Sequence, residues 1–105
     1  MTIQQLEYIL AVEKFRHFGN AAESCFVTQP TLSAQVNKLE KELGIILFDR
    51  SKMPVIPTEI GERVIEQAKR VVLESKGIYE LVAEIKGEVG GIIKIGIIPT
   101  IAPYL

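Results

Sequence analysis

The sequence predicts a mainly α-helical fold in which a small β hairpin separates three short helices from one long helix. Two observations carry this prediction. Apolar side chains recur at helical spacing along most of the chain, and glycine or proline interrupts that spacing at only a few points. The 105 residues suffice for one ordinary domain, or for a small domain and a piece of another, so a large catalytic fold is excluded.

Capping residues and apolar spacing predict two helices before Thr28. The first is expected over residues 2–13, with Thr2 as its N-cap. A loop is expected at residues 17–20, which include a glycine and an asparagine. The second helix is then only about two turns long, and the small side chains of Ala21 and Ala22 let another helix approach closely. Such a close crossing is what a helix-turn-helix requires.

A third helix is predicted between Thr28 and Gly44. The Thr28 hydroxyl is an N-cap, Pro30 is tolerated only in a first turn, and Gly44 is expected as a left-handed C-cap. At about 100° per residue, the large apolar side chains fall within one narrow arc, opposite polar and small ones. The inward set is Leu32, Val36, Leu39 and Leu43. The opposite face is therefore available for binding.

A short hairpin is expected after the third helix. Residues 45–50 and 55–56 are β-prone and are joined by a turn at residues 51–54. Together with the three helices, this hairpin completes the element order of a winged helix-turn-helix over residues 1–58.

A long helix is expected next, capped by Thr58 and continuing to Gly87. Gly61 and Gly77 are expected to lower the stability of this helix without ending it. Seven of its side chains alternate in steps of three and four, the spacing of the seam between two coiled-coil helices. The expected dimer seam consists of Val64, Ala68, Val71, Ser75, Ile78, Val82 and Ile85. This linker and dimerisation helix is assigned to residues 59–88.

The end of the chain is expected to begin a second domain. A hinge at Gly87 and at Gly90 and Gly91 precedes an apolar run at residues 92–98, typical of a strand buried on both faces of a parallel sheet. Such a strand cannot bury itself without neighbours. Residues 89–105 are therefore predicted to be a hinge and the first strand of a truncated α/β domain.

The candidate functional site is the outward face of the third helix. Residues 24–39 contain no acidic side chain, although the chain has 13 acidic and 12 basic residues. Amide, hydroxyl and ammonium groups bond base edges and phosphates of duplex DNA, and a helix N-terminus favours phosphate. The candidate DNA-contacting residues are Thr28, Gln29, Pro30, Thr31, Ser33, Ala34, Asn37 and Lys38 on the helix, with Arg50 and Lys52 on the wing.

No catalytic residue, metal site or cofactor is expected. His17 is the only histidine and has no cysteine or acidic partner at a metal-ligand spacing, and Cys25 is predicted to be a small buried apolar residue. The single cysteine, the lack of a signal-peptide pattern and the short apolar runs predict a cytoplasmic protein without a membrane partner.

A different class of function stays open at this point. The net charge of −1 gives no general attraction to nucleic acid. The same helix face could be a neutral solvated surface, or a helical dimer could use it to bind another protein.

Several motifs resemble those of LysR-type transcriptional regulators. They are Ala21-Ala22, Val27-Thr28-Gln29-Pro30-Thr31-Leu32-Ser33, Leu39-Glu40, Leu43-Gly44, Leu47-Phe48, Arg50, and Thr58 with Gly61. Further segments resemble the hydrogen-peroxide-sensing branch of that family. They are Leu6-Glu7-Tyr8, Arg16-His17-Phe18, Ser24-Cys25, Gly96-Ile97-Ile98-Pro99-Thr100 and Pro103-Tyr104-Leu105.

The resemblance implies a regulator of an oxidative-stress response that binds double-stranded DNA at an inverted-repeat operator. It implies a homodimer through the linker helix, a tetramer and an RNA polymerase contact at full length, and an effector-binding regulatory domain mostly beyond Leu105. Thr100 would border the effector pocket or cap a helix, and the peroxide-reactive cysteines would follow Leu105. Asn20, Asn37 and Met53 stand where the family often has basic residues, which leaves sequence preference open.

Overall fold

The computed structural model describes the backbone of residues 1–92 and the side-chain surroundings as far as Gly87. Its elements are α1 (Ile3–Phe15), α2 (Phe18–Ser24), α3 (Gln29–Leu43), β1 (Phe48–Asp49), β2 (Ile56–Pro57) and α4 (Glu59–Ile92). The predicted fold class, mainly helical with a small hairpin and a long helix, is confirmed.

Residues 1–72 form one compact unit, which continues past the predicted boundary at residue 58. The reason is that Ile65, Ala68 and Val72 of α4 are buried in the same core as α1 to α3. The other members of this core are Leu6, Tyr8, Ile9, Val12, Phe18, Ala21, Ala22, Leu32, Val36, Leu39, Leu47, Phe48 and Val55. The functional division into three segments stays a prediction.

The first helix, α1, starts with a reciprocal cap. The Thr2 hydroxyl accepts a hydrogen bond from the Gln5 amide, and the Gln5 side-chain oxygen accepts one from the Thr2 amide, both at 3.0 Å. Arg16 ends the helix in a left-handed conformation, with its N–H donating to the Val12 carbonyl. The helix is two residues longer than predicted at its C-terminus because no breaker precedes Arg16.

The second helix, α2, starts earlier than predicted, so the expected loop at residues 17–20 is wrong for its last three residues. His17 is the N-cap, and its Nδ1 accepts a hydrogen bond from the Asn20 amide at 3.0 Å. Phe18, Gly19 and Asn20 form the first turn, and Phe18 is buried. An imidazole in the capping position supplies the acceptor that hydroxyl and carboxylate residues usually provide.

The third helix, α3, has the predicted ends. Thr28 caps it, Pro30 lies in its first turn, and Gly44 ends it with a φ of 72°. Leu32, Val36 and Leu39 are fully buried as expected. Leu43 is 39% exposed, contrary to the prediction, because it lies in the last turn, where the helix leaves the core.

The hairpin is shorter than predicted. Phe48 pairs with Pro57 and Asp49 with Ile56 in an antiparallel register. Residues 45–47 do not belong to the strand; instead, the Leu47 amide donates to the Glu40 carboxylate at 2.7 Å, and the Leu47 carbonyl accepts from the Thr58 amide at 2.9 Å. These bonds connect the start of the wing to α3 and α4.

The start of α4 lies directly against the chain that precedes the hairpin. The Thr58 hydroxyl donates to the Ile46 carbonyl at 2.6 Å and accepts from the Gly61 amide at 3.0 Å. A Cβ atom on Gly61 would lie 2.1 Å from the Leu47 carbonyl oxygen. This contact therefore requires glycine at position 61. The prediction that Gly61 only lowers helix stability is wrong.

The long helix continues to Ile92 and includes Gly87, Gly90 and Gly91, where a hinge was predicted. Glycine lowers helix stability but does not remove a backbone donor as proline does, and the next proline is Pro99. The predicted strand over residues 92–98 begins inside this helix, and the rest of it, like Thr100, lies outside the described residues. Among residues 1–92, no helix is both long and apolar enough to cross a membrane.

Candidate nucleic-acid interface

The outward face of α3 carries the predicted polar set. Thr28 and six of the predicted helix residues are exposed, namely Gln29, Pro30, Thr31, Ala34, Asn37 and Lys38, and Ser33 is half-buried. On the opposite arc Leu32, Val36 and Leu39 are fully buried, so the amphipathic arrangement is confirmed except at Leu43 in the last turn. Whether these side chains contact DNA stays a prediction.

The N-terminus of α3 is suited to an anion. The Thr28 hydroxyl accepts a hydrogen bond from the Thr31 amide at 3.3 Å and donates to the Thr31 hydroxyl at 2.9 Å, so the Thr31 proton can point outward. No acidic residue lies in the first turn, so the positive end of the helix dipole is not neutralised there. This terminus can therefore attract a phosphate group.

Gln29 lies beside the first turn of α2. A Cβ atom on Gly19 would lie 3.3 Å from the Gln29 side-chain oxygen and 2.9 Å from the Cε1 atom of His17. Gly19 thus leaves room for both side chains. The side-chain oxygen of Gln29 therefore lies close to Gly19 of α2.

Glu40 positions the hairpin against α3, a role that is not predicted from the sequence. Its carboxylate is buried and accepts hydrogen bonds from the amides of Leu47 at 2.7 Å and Phe48 at 3.4 Å. These contacts attach the start of the wing to α3. The available signal was its spacing, because Glu40 follows Val36 by four residues and so falls on the inward arc.

Arg50 is engaged within the chain. Its Nη2 atom lies 3.4 Å from Glu40 Oε1, and its guanidinium carbon lies 4.6 Å from the centre of the Phe18 ring. Phe18 in turn meets Phe48 edge to face, with 6.2 Å between ring centres. Because the Arg50 side chain is only 35% exposed, the structure gives it a positioning role, and its contact with DNA stays a prediction.

A shallow hollow of about 410 Å³ lies between α3 and the wing. Its lining residues are Asn37, Glu40, Ile46, Phe48, Asp49, Arg50 and Thr58. The hollow brings together Asn37 and Arg50, two predicted site residues from different elements. Lys52 is exposed in the turn of the wing and does not line it.

The wing also holds a carboxylate next to its turn. Hydrogen bonds from the Ser51 hydroxyl and the Ser51 amide lower the pKa of Asp49, and the positive charge of Lys52 adds to that shift. Asp49 is therefore negatively charged at neutral pH. Its charge offsets part of the attraction that Lys52 exerts on a phosphate.

The residues of the predicted dimer seam differ in burial. Ala68 is only 3% exposed and belongs to the core of its own chain, so its assignment to a dimer interface is wrong. Val64 and Val71 pack partly against the same core. Ser75 is half-buried, and Ile78, Val82 and Ile85 are exposed. The seam stays a prediction for the other six positions, Val64, Val71, Ser75, Ile78, Val82 and Ile85.

No group of three or more histidine, cysteine or acidic side chains is placed to hold a metal ion within the described part of the chain. Cys25 is half-buried at the C-cap of α2, with its sulfur 3.9 Å from the Ser24 hydroxyl.

Comparison with known proteins identifies a matching family model and a similar curated protein. A family model described as bacterial regulatory helix-turn-helix protein, lysR family, matches residues 3–62. Over 105 residues the chain is 46% identical to the hydrogen peroxide-inducible genes activator of Haemophilus influenzae, covering all of this chain and 35% of that protein. The chain thus spans about a third of the length of that curated relative.

Two solved structures share the fold. A full-length OxyR variant from Pseudomonas aeruginosa matches with a TM-score of 0.77 and 48% identity, over 80% of this chain and 28% of that one. The DNA-binding domain of BenM in complex with benA site 1 DNA matches with a TM-score of 0.78 and 32% identity, over 81% of this chain and 96% of that one. The curated relative is named as a genes activator and the family as regulatory proteins, and neither name denotes an enzyme. The chain belongs to the lysR family of bacterial regulatory helix-turn-helix proteins.

Proposed function

We propose that this chain is the DNA-binding part of a cytoplasmic transcriptional regulator that recognises an inverted-repeat operator as a homodimer. The observation that carries the proposal is the exposed face of α3, which has polar side chains from Gln29 to Lys38, no acidic residue and an unneutralised N-terminus. In helix-turn-helix proteins the N-terminal residues of such a helix contact base edges in the major groove.

The residues of this face have separable roles in the proposal. Gln29 and Asn37 carry amides that can form paired hydrogen bonds with adenine, and Ser33 can bond a base edge or a phosphate. Lys38 and the exposed part of Arg50 supply positive charge toward the phosphates. The family membership and the BenM complex with DNA support this arrangement.

We further propose that the full-length protein responds to peroxide. The support is the 46% identity, over the whole of this chain, to a protein named as a hydrogen peroxide-inducible genes activator. At full length the regulator would form a tetramer and contact RNA polymerase. The sensing chemistry belongs to the regulatory domain, since Cys25 is half-buried and has no second cysteine within the chain.

A gel-shift titration tests the DNA proposal. The 105-residue chain is mixed with duplexes from a randomised pool, and the retained duplexes are compared with random duplex at several salt concentrations. Specific retention of an inverted repeat, weakened by added salt, is expected because each phosphate contact releases counterions. A chain that retains no duplex more tightly than random DNA would contradict the proposal.

Variants of the same face separate base reading from phosphate contact. Gln29→Ala is expected to weaken binding to the selected duplex by about 1–3 kcal/mol while leaving random DNA unaffected. Lys38→Ala is expected to weaken both duplexes and to reduce the salt dependence. Equal losses on both duplexes for Gln29→Ala would contradict base reading by this side chain.

A further inference from the structure

Phe26 occupies an unusual position in the turn between α2 and α3. The turn closes with two hydrogen bonds, from the Val27 amide to the Ala22 carbonyl at 3.0 Å and from the Phe26 amide to the Glu23 carbonyl at 3.1 Å. This is the Schellman pattern, whose first residue beyond the cap takes a left-handed conformation and is usually glycine. Here that residue is Phe26, with a φ of 60°.

Within the described part of the chain the phenyl ring is almost fully exposed, so it contributes little to the core. Its exposed fraction is 93%, the highest among the large apolar residues reported for the described part of the chain. A bulky residue in the left-handed region is a backbone outlier, and glycine or asparagine would adopt the conformation at lower cost. Such an outlier points to a role outside folding.

The location of the ring indicates what it would meet. Phe26 lies two residues before Thr28, the N-cap of α3, and three before Gln29. In the proposed function, the N-terminal residues of α3 face a groove of the DNA. In helix-turn-helix docking the preceding helix crosses the DNA backbone, so the turn between the helices passes over the edge of the groove. The acid-free segment, residues 24–39, surrounds it in sequence.

We infer that Phe26 is an apolar DNA-contacting residue that packs against the wall of the major groove. The groove wall offers two apolar surfaces, the C5-methyl group of thymine and the carbon face of deoxyribose. Contact with either surface would remove the ring from water on binding. This inference rests on the proposed DNA-binding function and adds to it a residue that the polar face of α3 does not include.

The test compares stability and DNA affinity in the same variants. Phe26→Asn and Phe26→Gly fit the left-handed conformation better than phenylalanine, so their thermal unfolding midpoints are expected to stay equal or to rise. Their affinity for the duplex selected by the wild-type chain is expected to fall about five- to tenfold, because an apolar contact is lost. Phe26→Leu keeps an apolar side chain and is expected to retain most of the affinity.

A second duplex with uracil in place of thymine distinguishes the two apolar surfaces. If the ring contacts a thymine methyl group, the wild-type chain binds the uracil duplex more weakly than the thymine duplex. The Phe26→Asn variant, which lacks the ring, then binds both duplexes with the same affinity. If the ring contacts deoxyribose, the wild type binds more tightly than the Phe26→Asn variant by the same factor on both duplexes. Either result supports the inference.

Unchanged affinity of the stable Phe26→Asn and Phe26→Gly variants for the selected duplex would overturn the inference and leave the proposed function intact. A wild-type chain that selects no duplex would overturn both. A loss of affinity shared by Phe26→Leu would also count against an apolar contact, because leucine preserves the apolar character of the position.

Discussion

The guanidinium of Arg50 lies over the ring of Phe18, with 4.6 Å between its central carbon and the ring centre. The same guanidinium lies 3.4 Å from the buried carboxylate of Glu40. One side chain of the wing therefore contacts both α2 and α3, the two helices of the helix-turn-helix. Arg50 therefore places the wing against both helices.

Removing the Glu40 carboxylate is predicted to destabilise the compact unit more than removing Arg50. Glu40→Ala leaves the buried amides of Leu47 and Phe48 without their acceptor, and each unsatisfied donor costs about 1–3 kcal/mol. Arg50→Ala is expected to cost about 1 kcal/mol, because an exposed cation–π contact and a partly exposed ion pair are each worth little. Urea denaturation measures both free energies of unfolding.

Glu42→Ala on the same helix is the matched control. Its carboxylate pairs with the amino terminus of Met1 at 2.7 Å, but both side chains are about half exposed. A surface pair of this kind contributes about 0–1 kcal/mol. A Glu40→Ala variant as stable as Glu42→Ala would show that the buried hydrogen bonds of Glu40 do not hold the wing.

Gly61 and Gly77 of α4 are predicted to respond to alanine in opposite directions. In Gly61→Ala, the new methyl group would meet the Leu47 carbonyl oxygen at 2.1 Å, so the backbone must shift, at a cost of about 3 kcal/mol. Around Gly77 no atom outside the adjoining helix backbone lies within 4 Å of such a methyl group, and alanine should stabilise the helix by about 1 kcal/mol. Thermal unfolding followed by circular dichroism distinguishes the two, and a Gly61→Ala variant that melts no lower than wild type would contradict the predicted clash.

The sequence predicts features whose partners are close along the chain. Thr28, Pro30 and Gly44 define α3 because a cap or a left-handed residue acts on the backbone within one turn. The role of Glu40 depends on amides seven and eight residues away that come into reach only when the chain folds. Hydrophobic spacing along a helix also does not say whether a side chain packs in its own chain or against a partner, which is why Ala68 was assigned to the seam.

The ionisation of Asp49 is predicted to depend on Ser51. Hydrogen bonds from Ser51 hold the pKa of Asp49 below its ordinary value of 3.8, so the folded state binds a proton less readily than the unfolded state. The contribution of this carboxylate to stability is therefore present above its unfolded pKa and is lost as the pH falls through its lower folded pKa. In Ser51→Ala the pKa of Asp49 should move up toward its ordinary value, as followed by a carboxyl NMR titration.

The matched control is Ser24→Ala. The Ser24 hydroxyl donates to the Ala21 carbonyl and not to Asp49, so its removal should leave this titration unchanged. An Asp49 titration that is identical in Ser51→Ala and wild type would contradict the role of the hydroxyl.

The remaining seam on α4 is predicted to hold two copies of the chain together. Ile78 is 64% exposed, and Val82 and Ile85 follow it at spacings of four and three residues, so the three side chains share one face of the helix. A glutamate at Ile78 would place a charge within the apolar seam of the dimer, which is unfavourable without a partner charge. Sedimentation of Ile78→Glu should show a monomer where the wild type is a dimer, and affinity for an inverted repeat should fall because the two half-sites are no longer bound together.

Tyr79→Glu introduces the same charge at an exposed neighbouring position about 100° away around the helix and should leave the dimer intact. If Ile78→Glu sediments as the same dimer, or if Tyr79→Glu dissociates equally, the seam lies elsewhere on the chain.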